Sequence, residues 1–228
     1  MVTLKRIRPP YSLTMDDLRF LSLNCHGLSV DIICYLRSVA QNYDFILLQE
    51  TWMSQFNSNR LNEISDDFVF FHSSAMEDRL QSGILTGRPF GGTAVLVRST
   101  FANRVSVITT LNPRVTAVRL SNPSHSNMLI CSVYMPWNDR SLRQLEEYEA
   151  TIGCLQAIVN GYVGCSVVLG GDWNVAKDGN YPAEPFVSQF CWDNNLCWLD
   201  QSDDSVDFTY HCDANNHFSL VDHFICSS

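Results

Sequence analysis

The sequence predicts an α/β protein, a four-layered α/β sandwich in which two packed mixed β-sheets are flanked by helices. Three observations lead there. Several strand-like runs, among them "ILLQ" and "VVLG", are apolar on both faces, as strands covered on two sides must be. Amphipathic helical stretches alternate with these runs instead of being segregated from them. The chain of 228 residues contains no linker-like segment, so one domain with a large core accounts for it.

The elements follow in order. Residues 1–17 carry Lys5, Arg6 and Arg8 without an apolar run and are expected to form a flexible, solvated arm before a domain over 18–228. "LRFLSLNC" reads as a buried strand ending on Asn24. "SVDIICYLRSVAQN" places Ile32, Ile33, Leu36, Val39 and Ala40 at helical spacing behind Ser29 as N-cap. "DFILLQE" is an apolar strand ending on Glu50; a short polar helix near Arg60 and the strand "DFVFFHS" follow. After a polar loop from His72 to Pro89 come four β-rich runs, "GTAVLVRS", "RVSVITT", "RVTAVRL" and "NMLICSVYM".

Leu142, Leu145, Tyr148, Ile152, Leu155 and Val159 recur at three- and four-residue steps, the stripe of a long helix ending at Gly161. "CSVVLGG" is a strand whose Gly170–Gly171 pair predicts a sharp turn at its end. "EPFVSQFCWDNN" is a helix with Pro185 in its first turn, and "LCWLD" and "FSLVDHFICS" are two last strands. Phe190, Trp192 and Trp198 are expected in the core, and Trp173 beneath the residues that flank it.

Composition narrows the function classes. No apolar run approaches the roughly 18 residues of a membrane span, and the N-terminus lacks the apolar centre of a signal peptide. The nine Cys are scattered without a C-x-x-C pair, and Cys34, Cys131 and Cys154 lie in apolar contexts, as buried free thiols in a reducing compartment would. Cys212, His217, His223 and Cys226 match no usual zinc spacing. Net charge is −9, yet residues 1–143 hold 14 Lys+Arg against 11 Asp+Glu, while Lys177 alone faces 13 acids thereafter. Arg88, Arg98, Arg104, Arg114, Arg119, Arg140 and Arg143 face a single acid, Asp139, either as a solvated face or as a surface for phosphates.

Polar residues at strand ends carry the chemistry. Apolar strands end on Asn24, Glu50, Tyr134 and the pair Asp172 and Asn174, and Asp222 lies within a fifth. Rigid strands can hold such residues in register although they are distant in the chain. Carboxylates Glu50, Asp172 and Asp222 suit Mg²⁺, which binds through one or two protein oxygens, waters and a phosphate. Asn24 and Asn174 can hold a phosphate oxygen or orient a carboxylate without adding charge, and the Tyr134 phenol can bond a phosphate or a leaving oxygen.

Six segments, "LSLNCHGL", "ILLQET", "GGTAVLV", "CSVYMP", "GGDWN" and "DFTY…FSLVDHFICSS", stand in the order found in the endonuclease/exonuclease/phosphatase superfamily. From Leu18 to Ser228 the chain most resembles the apurinic-type endonuclease domain of non-LTR (LINE-type) retrotransposons. The resemblance implies Glu50 as the main Mg²⁺ ligand, replaceable by Mn²⁺, with Asn24 supporting metal and scissile phosphate. It implies that Tyr134 touches the phosphate and that Asp172 orients or deprotonates the water, or protonates the leaving group. Asn174 would hold a non-bridging oxygen, Asp222 would match the acid that orients a catalytic His, and Thr209 would brace the site.

On this reading the DNA phosphate backbone is the partner, met by Arg88, Arg140 and Arg143. A monomer acting in the nucleus, with a reverse transcriptase in the same polyprotein, is expected. The sequence departs from the family at Trp137, where an Asn is usual with Asn138 one place later, and in lacking a Ser-Asp-His motif after Asp222. His223 would face away from Asp222 in a strand. The last strand and catalytic His are thus expected to be missing and the chain weakly active or inactive. A phosphatase acting on phosphoinositides or nucleotides, and a catalytically dead binding module, are the alternatives.

Overall fold

The computed structural model describes residues 2–6, 18–77, 80, 82–83, 89–123, 126–137, 141–176, 181–199, 208–212 and 216–228. One sheet comprises β1 (Val2–Arg6), β2 (Arg19–Asn24), β3 (Phe45–Gln49), β4 (Phe68–Ser73) and β5 (Thr93–Arg98), in the order β1-β2-β3-β5-β4. The second comprises β6 (Val105–Ile108), β7 (Val115–Leu120), β8 (Met128–Tyr134), β9 (Ser166–Asp172), β10 (Leu196–Trp198) and β13 (Asp222–Ser227), in the order β10-β13-β9-β8-β7-β6. A two-stranded ribbon, β11 (Tyr210–Cys212) with β12 (His217–Ser219), stands apart from both. Both large sheets are mixed, because β2–β3 and β8–β9 run parallel while their other neighbours are antiparallel.

Three apolar clusters make the four layers. Phe20, Phe45, Leu47, Val95 and Val97 of the first sheet meet Val118, Ile130, Val168 and Phe224 of the second. The outer face of the first sheet is covered by helix α1 (Val30–Val39) and a 3₁₀ helix over Gln55–Glu63, through Ile33, Leu36 and Leu61. The outer face of the second is covered by α2 (Leu142–Gly161) and α3 (Glu184–Asp193), through Tyr148, Leu155, Val187 and Phe190. The strands therefore read as apolar on both faces because both faces are buried. Ser29 caps α1 as expected, accepting the Ile32 N–H at 3.3 Å.

The structure departs from the sequence expectations in five places. Val2–Arg6, expected within a flexible arm, forms a strand that pairs antiparallel with β2. Of the thiols expected to be buried, Cys131 is, Cys154 is only half-buried, and Cys34 is exposed on the outward face of α1. Trp192 is 82% exposed near the C-terminal end of α3, whereas Phe190 and Trp198 are buried. "FSLVDHFICS" forms two strands, since the Thr209 hydroxyl accepts the Val221 and Asp222 N–H groups at 3.0 Å each where the chain leaves the ribbon for β13, which pairs with β9.

The fifth concerns Gly170 and Gly171, which make no turn but lie within β9. A Cβ on Gly171 would stand 1.8 Å from the Val133 carbonyl oxygen, and one on Gly170 would stand 2.5 Å from Phe224 and 2.6 Å from Leu47. Both glycines serve close approach. Among the described residues no helix is long and apolar enough to cross a membrane.

Candidate active site

Register brings the polar strand ends together. Asn24 pairs with Gln49 across β2 and β3, so the next residue, Glu50, emerges beside Asn24. Tyr134 pairs with Asp172 across β8 and β9, and Asp172 with Asp222 across β9 and β13. Packing of the two sheets closes the gap between the groups. The Asn24 amide donates to Glu50 Oε1 at 2.8 Å and to Asp172 Oδ2 at 2.9 Å. One side chain therefore ties carboxylates from both sheets. Its own Oδ1 accepts the His26 backbone N–H at 3.0 Å.

Asp172 is 6% exposed, and its Oδ1 accepts the Asn174 backbone N–H at 3.0 Å. Burial pushes its carboxyl well above the usual carboxylate range, the Asp222 and Glu50 charges add to that, and the bonds from Asn24 and Asn174 oppose it. Asn174 sits in the left-handed region at φ 49° and turns its amide to the Met135 carbonyl at 2.9 Å. As placed, it locks the turn after β9 and holds Asp172. Trp173 between them is fully buried, as expected, and its backbone N–H is taken by Val221.

Tyr134 is half-buried over the same end. Burial raises its hydroxyl above the ordinary tyrosine range; Glu50, with which it shares a hydrogen bond, and Asp172 add to the rise, and Arg114 opposes it. The Arg114 guanidinium lies 5.1 Å from the Tyr134 ring centroid and is anchored by Glu147 Oε1 at 2.7 Å. The Thr209 hydroxyl accepts the Asp222 backbone N–H at 3.0 Å. His223 faces away: its Nε2 lies 2.8 Å from the Val175 carbonyl, and its ring meets Trp198 edge-on at 4.6 Å.

The donor set suits a hard divalent cation. The Asn24 amide joins Glu50 to Asp172, His26 Nδ1 lies 3.6 Å from Glu50 Oε2, and Asp222 is the register partner of Asp172, so a cation here would meet carboxylate oxygens. Among the described residues no three His, Cys, Asp or Glu are grouped so as to hold an ion by themselves.

The expected DNA-facing arginines fare differently. Arg88 and Arg140 lie outside the described residues, and Arg143 is exposed in the first turn of α2. Arg98 is instead structural, bonding the Ala40 and Gln41 carbonyls at the end of α1 and pairing with Asp44. The described arginine next to the site is Arg114, one of the Arg-rich stretch but not singled out in it. The sequence reading also passed over Trp52, whose indole N–H reaches Glu50 Oε2 at 3.1 Å. Its only signal was its place two residues after a strand-ending acid.

The fold has clear counterparts. The AP endonuclease LMAP from Leishmania major superposes with a TM-score of 0.72 at 16% identity, over 92% of this chain and 79% of that one. The APE2 catalytic domain from Xenopus laevis gives 0.68 at 15% identity, over 91% and 82%. The 3′ phosphatase NExo from Neisseria, bound to product DNA hairpin, gives 0.65 at 17% identity, over 91% and 86%. At these identities the likeness is one of fold. No curated protein sequence matches the chain. The profile described as "Endonuclease/Exonuclease/phosphatase family" matches residues 21–228, nearly the whole span that carries these strand ends, and the chain belongs to that family.

Proposed function

We propose that the protein is a Mg²⁺-dependent DNA endonuclease that nicks one strand and leaves a 3′-OH. The observation that carries this is the Asn24 amide bridging Glu50 and Asp172 at 2.8 and 2.9 Å, which assembles an acidic phosphodiester-cleaving site from both sheets. Glu50 would hold the ion with Asn24 in support, and Mn²⁺ would substitute. Such an ion supplies Lewis acidity toward the phosphate and its leaving oxygen.

The protein's own groups do the rest. Water attacks the phosphorus in line and the P–O3′ bond breaks. Asp172, held by Asn24 and Asn174, takes a proton from the water or returns one to O3′. The Tyr134 hydroxyl, kept protonated by its surroundings, donates to a phosphate oxygen. Arg114 beside Tyr134 offers a fixed positive charge toward the backbone, with Arg88, Arg140 and Arg143 as further phosphate contacts.

The setting implied by the sequence motifs is a LINE-type retrotransposon. There the freed 3′-OH primes reverse transcription by an enzyme of the same polyprotein, in the nucleus, with the endonuclease acting as a monomer. The DNA-bound Neisseria neighbour supports a DNA substrate. Nicking of supercoiled plasmid in Mg²⁺ and not in EDTA, lost in Glu50→Gln, is the expected result. Phosphate release from inositol phosphates without nicking would replace this reading with a phosphatase.

A further inference from the structure

Several groups meet the Glu50 carboxylate, among them the Tyr134 hydroxyl and His26 Nδ1, 3.6 Å from Oε2. Asn24 holds Oε1, and the indole N–H of Trp52 donates to Oε2 at 3.1 Å. A chain reaches back to a residue two places earlier only by folding sharply. Glu50 and Trp52 both sit in the left-handed region, at φ 49° and 54°, which costs on the order of 1 kcal/mol or more for each non-glycine residue. The backbone holds them there. Thr51 and Trp52 donate to the Gly92 and Gly91 carbonyls at 3.2 and 2.9 Å, and the Glu50 carbonyl accepts Gly27 N–H at 2.8 Å. A Cβ on Gly27 would stand 2.5 Å from the Trp52 ring, so the indole fills the face that glycine leaves open. The His26 ring also lies against the indole, 4.7 Å between centroids.

We infer that Trp52 is a positioning residue for the cation site, its indole N–H fixing the Glu50 carboxylate so that the remaining oxygen lone pairs face the ion. The inference rests on Glu50 being the cation ligand. An indole suits the task because it is a neutral donor: it orients the carboxylate without cancelling the charge that attracts a cation. A lysine in its place would orient and neutralise at once. The ring packs against Gly27 and His26 with its N–H toward Glu50.

The test is the affinity of the full chain for Mn²⁺, read from free-ion electron paramagnetic resonance with Mg²⁺ as competitor. Trp52→Phe keeps an aromatic ring and removes the donor; it should weaken binding about tenfold. Trp52→His places an imidazole Nε2–H where the indole N–H was, and should recover most of the affinity. Wild-type affinity in Trp52→Phe, or equal loss in both variants, overturns the inference, the latter by assigning the effect to ring volume. In ¹⁵N-tryptophan-labelled wild type, the indole resonance absent from Trp52→Phe should shift with Mg²⁺ at the same midpoint. If Trp52→Phe does not fold, the resonance is assigned from Trp52→His, and its failure to move at saturating Mg²⁺ overturns the inference. Unchanged Mn²⁺ binding in Glu50→Gln removes the ligand assignment and this inference with it, whereas loss there with a normal Trp52→Phe removes only the inference.

Discussion

Asp172 and Asp222 are register partners across β9 and β13, both 6% exposed, so two carboxyl groups share one dry position at the strand ends. Burial penalises the charged form of Asp172, and the Asp222 charge adds to that. Asp172→Asn removes one charge while retaining an oxygen to accept from Asn24 or Asn174. In EDTA at neutral pH it should therefore raise the melting temperature, by about 2–4 °C if about 1 kcal/mol is recovered. Nicking should fall by ~10²–10⁴-fold, as for loss of a positioned acid–base group. A melting temperature below wild type would show that the pair is not strained.

His72 gives a pH dependence of its own. Its Nε2 lies 3.1 Å from Thr51 Oγ1, and its buried Nδ1 has no hydrogen-bond partner among the described residues. Burial lowers its pKa from 6.5 to about 4, with Glu77 opposing. A depressed folded-state value means stability present above pH 6.5 and lost as pH falls through the window toward 4. The loss amounts to about 3 kcal/mol at most for a shift of that size. His72→Gln cannot protonate there. Urea unfolding between pH 7 and 4 should show a shallower decline for the variant than for wild type; parallel declines would place the titration elsewhere.

What the sequence could show depends on the range of the interaction. Asn24, Glu50, Tyr134 and Asp172 were legible because an apolar run that stops on a polar group is a local pattern, visible within eight residues. The bond from Asn24 to Asp172 spans 148 positions and depends on how two sheets pack, which no local pattern encodes. Trp52 was missed because its return to Glu50 needs two left-handed residues that carry no glycine signal. Gly170–Gly171 misled for the opposite reason: in sequence a glycine pair reads as a turn, whether it supplies flexibility or absence of a side chain. Trp192 was assigned by hydrophobicity, while it sits on the face of α3 opposite the buried Phe190 and Val187 and points to solvent.

The two strand glycines should differ in cost. Ala at Gly171 would drive its methyl into the Val133 backbone at 1.8 Å, and backbone in a central strand cannot swing aside. Ala at Gly170 meets side-chain atoms of Phe224 and Leu47 at 2.5 and 2.6 Å, which can repack. Gly170→Ala should cost about 1–3 kcal/mol and Gly171→Ala more than that, or prevent folding. The urea midpoints of the soluble variants decide the order, and the reverse order would mean that the β8–β9 pairing is looser than it stands.

Asn24 allows the proposed cation to be read from stability alone. Asn24→Ala removes both donors and leaves Glu50 and Asp172 without the group that joins them. Asn24→Asp keeps the shape but replaces a donor with a third negative charge in contact with two carboxylates. Without cation, Asn24→Asp should be less stable than Asn24→Ala, because repulsion adds to the lost bonds. With excess Mg²⁺ the order should close or invert, since the added carboxylate is a further hard ligand and a ligand that binds only the folded state stabilises it. The measured quantity is the melting-temperature difference between millimolar Mg²⁺ and EDTA, largest in Asn24→Asp, intermediate in wild type and smallest in Asn24→Ala. Equal Mg²⁺ shifts in all three would move the cation away from the Asn24–Glu50 junction, however well the strand ends are arranged to receive it.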